Sequence, residues 1–575
     1  MRARLSTWVA IATILTMVAA SCGSDDAAAP ATTATTATTA APATTAAPAT
    51  TAAPATTAAP ATTAAPAQEE ATTLIVGTTY GWDSLDPADA TDYGGGELLQ
   101  NYNEALLSFA PGSTDLQAGV AELPEISDDG LTYTLRLRDG VMFGDGTELT
   151  APMYVEQFQR VLTLGGDTSS NVVPYVDSVE ATDDRTIVFT LLDNFAFFSN
   201  LLALPAYGPA HPDHFPSDEI VRNPEAPIYG VGAWIITEFL PDEQVVMEPN
   251  PYYYGNAPKV DRVIMRKFAD AQTEALALLS GEIDIASRGL TAENVAQLEG
   301  EDGVTVATID GGLLLYYVVN SQLAPSNDSN VRQAFAAILD RDEIVDRVYG
   351  GGVEPLYSQI QPGILGANEA FDDRYGSPDI DLAIELMAAS GYTSDNPAQI
   401  LIGFPGARYG DGSVDAQTVI AEQLEATGLF EVELESAEAS AYFDALFGGE
   451  TYNFGFLAFG FDFPDPDNHV GLFISEGGLG TGVTTADNEP NSDQAAELQA
   501  LLKAGATTTD VGERVAIYGD LQDLYAEMVV TLPMWRMGPF IAYSNEVSGD
   551  ASLPNADALN VGALQTFIYA TLSKN

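Results

Sequence analysis

The chain has 575 residues, 82 of them Asp or Glu against 21 Lys or Arg, for a net charge of −61. A field of that sign repels phosphate backbones and excludes nucleic acid as a target. With 46% hydrophobic and 9% aromatic residues, the composition also excludes a disordered acidic protein, and the length suits about two to four domains. The acids are spread along the whole folded part. That spread reads as a surface kept hydrated in a salty medium, where steering reaches no further than about 10 Å; a field that attracts cationic solutes is the other reading.

The N-terminal run "MRARLSTWVAIATILTMVAASCGSDD" places Arg2 and Arg4 before one apolar stretch and closes it with small residues, the pattern of an export signal over residues 1–21. The apolar stretch, Leu5 to Ala20, is shorter than the roughly 20 residues that span a bilayer. Ala19, Ala20 and Ser21 before Cys22 resemble a bacterial lipobox, in which the cysteine sulfur receives lipid, although Ala19 stands where leucine is usual. Cys22 is the only cysteine, so disulfides and thiol chemistry are not expected. Residues 22–70 form a tether of Ala, Thr and Pro in which "APATTA" recurs every six residues, with prolines at 42, 48, 54, 60 and 66. At about 3.1 Å per residue it reaches on the order of 150 Å when extended, and about 40 Å as a coil.

From Thr72 onward strands alternate with helices. "TLIVGTT" predicts an apolar strand, "LTYTLRLRDGVMF" alternates inward and outward positions, and "TIVFTLL" predicts a further strand. In the middle of this stretch "HPDH" has metal-like spacing, but Pro209, Pro212 and Pro216 break any helix that would align His211 with His214, and a solvent loop is the better reading. Helical spacing appears in "DAQTEALALLSGEIDIA", "SNVRQAFAAILDRDEIVDRVYG", "DIDLAIELMAASGY" and "GERVAIYGDLQDLYAEM". The mixture predicts α/β domains with sheets covered by helices.

The stretch "AFGFDFPDPDNH" crowds Asp462, Asp465 and Asp467 among phenylalanines and prolines. Counted from Asp465, a calcium loop would have Asp467 third and Glu476 twelfth, but Val470 occupies the position that demands glycine. Carboxylates paired for glycoside cleavage need a defined separation that sequence does not show. No nucleophile elbow, H-E-x-x-H pair or phosphate-binding lysine loop is present, and "YGGGEL", "YGGGVEP" and "EGGLGTG" read as turns. Neither a metal nor a cofactor is expected, nor an enzyme.

Six ordered stretches resemble the extracytoplasmic solute-binding proteins of the peptide, oligopeptide and nickel class of ABC importers. They are "SLDPADA", "SDDGLTYTLRLRDGVMFGDGTELTA", the block from "YGVGAWIITEF" to "LLSGEIDIA", "NDSNVRQAFAAILDRDEIVDRVYGG", "FGFDFPDPDN" and "ERVAIYGDLQDLYAEMVVTLPMW". Two departures stand out: "LTAPMYV" where relatives read "l-t-A-e-D-v", and Phe459 where tryptophan is common.

The resemblance implies an α/β fold of the two-lobed periplasmic-binding-protein type II with an inserted subdomain. Its first lobe would comprise residues 71–110, 232–310 and a return at 536–575, the insertion 111–231, and the second lobe 311–535. It further implies capture of a short peptide between the lobes, Asp462 pairing with its ammonium, and backbone at Ala458 and Gly460 adding it as an extra strand. Phe459 and Phe461 flank that edge, and Tyr80, Trp82 and Trp234 would line side-chain pockets. Asp465 and Asp467 would serve the turn and helix cap. The implied partners are ABC permease subunits with separate ATPases. A monomer anchored by lipid outside the cytoplasmic membrane is expected. Non-peptide solutes such as a nickel chelate, sugar or opine are the alternative within the fold; a secreted hydrolase or a sensory envelope protein is the alternative outside it.

Overall fold

A computed structural model describes residues 71–110, 113–308, 312–449, 451–475, 493–538, 540–549 and 568–574. Cys22, the tether and "EGGLGTG" lie outside the described residues.

Two large sheets organise the chain. The first has seven strands in the order Val304–Thr308, Phe540–Ser544, Ile285–Ala286, Thr73–Thr78, Arg262–Lys267, Gln244–Pro249 and Trp234–Leu240. Thr73–Thr78 lies at its centre, parallel to both neighbours, with Leu74 and Val76 fully buried. Burial on both faces explains its unbroken apolar run. The second sheet has six strands in the order Glu354–Pro355, Thr531–Met537, Leu313–Val319, Phe454–Phe459, Ala398–Phe404 and Phe430–Ser436. The chain passes from the first sheet to the second between Thr308 and Leu313, and returns between Met537 and Phe540. Each sheet has its own apolar core, one around Trp234 and one around Trp535.

A third, four-stranded antiparallel sheet runs Glu125–Ile126, Thr132–Arg136, Thr186–Leu191, Val176–Ala181 and builds a separate core with the helix Ala151–Leu164. That helix begins at the departure noted above: Thr150 caps it, and Pro152 sits in its first turn, where a missing N–H costs nothing.

Two helical readings are shortened by local chemistry. The helix Ala271–Leu279 stops before Gly281, whose φ of +73° ends the helix, and the rest of that run becomes the strand Ile285–Ala286. The long stretch from Ser329 divides into Ser329–Ile338 and Arg341–Tyr349, because Asp340 turns outward and accepts from Glu343 N–H at 2.9 Å as the cap of a new helix. The helices Ile380–Ala389 and Val511–Met528 form where the spacing predicts them.

The solvent-loop reading of "HPDH" holds for exposed Asp213 and fails for His211, which is 4% exposed. Its ring packs edge-on to Phe143 at 4.9 Å and lies 3.4 Å from Asp145, so it serves to seat the loop. Among the described residues, no group of three or more His, Cys, Asp or Glu is placed to hold a metal ion. None of the described helices is long and apolar enough to cross a membrane.

Candidate functional site

The strand Phe454–Phe459 pairs with Leu313–Val319 along its whole length, but with Ala398–Phe404 only at Phe454 and Gly455. Its last residues therefore have one unpaired edge. The Phe456 carbonyl on that side accepts from Tyr442 Oη at 2.8 Å, and the Ala458 N–H meets the Tyr409 hydroxyl. By the two-residue repeat of a strand, Gly460 faces the same way. Ala458, Phe459 and Gly460 are all half-buried.

Immediately beyond lies Asp462. Its N–H donates to Asn468 Oδ1 at 2.8 Å, and Asn468 Nδ2 donates back to Asp462 Oδ2 at 3.3 Å. Asn171 also donates to the carboxylate. Burial raises the Asp462 pKa above its ordinary value, and the two amides only partly oppose this. Its carboxylate makes no ion pair among the described residues. Tyr93 and Tyr207 lie near enough for the Asp462 charge to raise their pKa values further, beyond the larger effect of their own burial. Tyr93 belongs to the helix Tyr93–Tyr102 against the first sheet, Asn171 and Tyr207 to the stretch around the third, and Asn468 to the second. All three parts of the chain thus converge on one carboxylate.

The wall contributed by the first sheet is aromatic and cationic. Tyr80, 41% exposed, lies 5.9 Å from Tyr93, and the Arg288 guanidinium stands over both rings, 4.9 Å from Tyr93 and 5.9 Å from Tyr80. Arg288 Nε is 3.4 Å from Glu97 Oε2, which fixes the stack from beneath. A Cβ at Gly460 would stand 3.2 Å from Tyr93 Oη, so glycine lets the two walls approach. On the other side, exposed Arg408 stacks over Phe443 at 5.5 Å and hydrogen-bonds Tyr409, the residue that reaches Ala458.

The structure brings Tyr80, Ala458, Phe459, Gly460 and Asp462 toward this junction, and it places three other predicted residues elsewhere. Trp234 is 0% exposed and Trp82 3%, both inside the apolar core of the first sheet, while Phe461 is buried in the core of the second. Their bulk is spent on packing, so the expectation that the two tryptophans line a pocket is corrected. Asp465 caps the helix Pro466–Ile474 as expected, accepting from Asp467 N–H at 3.0 Å. It also takes a buried bidentate pair from Arg514, at 3.0 and 2.9 Å, that the sequence did not suggest. Burial pulls the Arg514 guanidinium down, and the Asp465 carboxylate more than offsets this, leaving its pKa above the ordinary value. The calcium reading fails for a further reason: its middle positions are one helix, with Val470 fully buried. Tyr93, Asn171, Arg288 and Arg408 were missed. Asn468 lay inside "PDPDN", and Tyr93 opens "YGGGEL", which was read as a turn but begins the helix Tyr93–Tyr102.

Two lobes meeting at a half-buried carboxylate that has no ion pair among the described residues, beside an open strand edge, are arranged as in a protein that encloses a solute. The sequence profile described as "Bacterial extracellular solute-binding proteins, family 5 Middle" matches residues 115–481, and the chain belongs to that family. It is 27% identical over 508 residues to "Di/tripeptide-binding protein 2" of Pseudomonas aeruginosa (strain UCBPP-PA14), covering 84% of this chain and 93% of that protein. The structure of "ABC transporter-associated periplasmic binding protein DppA from Helicobacter pylori in complex with peptide STSA" superposes with a TM-score of 0.68 at 25% identity, over 86% of this chain and 97% of that one. The unliganded open form of the periplasmic murein tripeptide binding protein MppA gives a TM-score of 0.72 at 20% identity, over 88% and 98% of the two chains.

Proposed function

We propose that this protein captures a short peptide between its lobes and delivers it to an ABC permease driven by separate ATPases, without making or breaking a bond. The observation that carries the reading is Asp462: a half-buried carboxylate, held by two amides and without an ion pair among the described residues, placed beside the unpaired edge of Phe454–Phe459. A peptide ammonium supplies the missing charge, and its backbone replaces side-chain hydroxyls such as Tyr409 along the edge. Arg408, beyond that edge, suits the opposite, carboxylate end. Relatives named for di- and tripeptides support the same ligand class.

The lobes comprise residues 71–110, 232–310 and the return from Phe540 on one side and 311–537 on the other, the expected boundary at 535 moving to the end of the strand Thr531–Met537, with 111–231 inserted in the first. A chain that crosses between two lobes more than once suits a hinge closure over the solute. The body works outside the cytoplasmic membrane as a monomer, anchored by lipid on Cys22 through the tether. Native mass spectrometry of the protein with a mixture of di- to tetrapeptides tests this: intact peptides retained at one per chain are expected. Hydrolysed peptides, or retention of a metal chelate or sugar with no peptide, would contradict it.

A further inference from the structure

We propose that a cavity beside Asp462 receives the side chain of a lysine or arginine near the amino end of the bound peptide, an inference that rests on the peptide reading above. The cavity, about 360 Å³, lies between the segment 193–197 and the helices Pro466–Ile474 and Asp493–Thr507. One wall is three aromatic rings: Tyr175 is 4.7 Å from Phe195 and 5.0 Å from Phe197, and Phe195 is 5.7 Å from Phe197. Phe197 in turn stacks on Phe463 at 5.3 Å, so the wall spans from the inserted segment to the second lobe.

Across from the rings stands Asp467. The side-chain hydrogen bond to its carboxylate comes from Tyr518 Oη at a long 3.5 Å, and the nearby Arg514 guanidinium is committed through both Nη atoms to Asp465. At the rim, Asp193 and Lys503 are exposed and of opposite sign, and Asp467, half-buried beside them, makes no ion pair among the described residues. Burial, with the Asp465 charge adding to it and the Arg514 guanidinium and Tyr518 hydroxyl opposing, pushes the Asp467 pKa up to about 7, and a cationic guest would lower it.

Two lining residues lead to the ammonium site: Asp467 is followed by Asn468, which exchanges hydrogen bonds with Asp462, and Phe197 stacks on Phe463, the residue after Asp462. Tyr175 lies four residues after Asn171, which donates to Asp462, and its phenol is raised first by burial and then by the charges of Asp467 and Asp462. An aliphatic stem lies well along aromatic faces, and a cationic head placed over rings beside a carboxylate gains from both. An acidic side chain would meet Asp467 as a like charge, and an aliphatic one would fit the rings but leave the carboxylate unpaired.

Isothermal titration with tripeptides that share one backbone and carry lysine, arginine, norleucine or glutamate at position one or two tests this. Lysine or arginine at one of the two positions is expected to bind at least about 10-fold tighter than norleucine. Asp467→Asn is expected to reduce that ratio below about 3-fold. Because Asp467 opens a helix, Phe195→Ala provides a second variant, expected to lower the same ratio. Peptides that bind with lysine and norleucine equal at both positions would overturn the cavity assignment alone. Binding of no peptide at all would overturn the peptide reading as well.

Discussion

Glu274 is a carboxylic acid with 0% exposure on the helix Ala271–Leu279, pressed against Gly77 of the central strand, with the Ser287 and Arg288 N–H groups near its oxygens but neither at full hydrogen-bond geometry. Burial pushes its pKa from about 4.5 up to about 8, and the Ser287 and Arg288 N–H groups pull weakly the other way. A folded-state pKa above the unfolded one gives stability that is complete below about pH 4.5 and is lost as pH rises through about 8. Glu274→Gln is therefore expected to raise the urea midpoint at pH 8 relative to wild type, with little gain at pH 4.5. An equal effect at both pH values would show that the carboxyl is ionised in the fold. At this scale the sequence was informative only where a motif was local. Asp462 and Asp465 stand in one short run and were assigned roles from it. Tyr93 and Arg288 are 195 positions apart in sequence, and nothing in either neighbourhood predicts that one lies over the other. Trp82 and Trp234 show the reverse error, since an aromatic residue after a strand looks the same whether it faces a core or a cleft.

Among the elements, the helix Ala151–Leu164 is tied to the first lobe by one buried pair: Arg160 Nη1 and Nη2 donate to Asp86 Oδ1 and Oδ2 at 3.0 and 2.7 Å, with both residues almost fully buried. The same guanidinium donates to the carbonyls of Pro216 and Glu219, so it holds three segments at once. Removing one partner strands a buried charge, and Asp86→Asn is expected to cost about 3 to 5 kcal/mol, read as a lower urea midpoint. A loss under about 1 kcal/mol would mean the pair acts as a solvated surface contact. Strands buried on both faces, such as Thr73–Thr78, and helices with clean caps, such as Ile380–Ala389, were legible because pattern and burial agree. The stretch from Ser329 was not divided correctly, since the apolar period continues through the break and only the cap geometry at Asp340 reveals it.

For the molecule as a whole, the strand orders explain what no local pattern carries. Phe540–Ser544 enters the first sheet beside strands more than 200 residues earlier, and Phe454–Phe459 loses its neighbour after Gly455 because Ala398–Phe404 ends. That unpaired edge and the carboxylate beyond it exist only in the assembled fold. Peptide capture depends on Asp462 neutralising the ammonium between the lobes. Titration calorimetry on wild type and Asp462→Asn, each with one tripeptide carrying a free and then an acetylated amino end, measures this coupling. Acetylation is expected to weaken wild-type binding by about 3 kcal/mol or more and to make little difference to the variant. Wild-type protein that holds the acetylated peptide as tightly as the free one would contradict it.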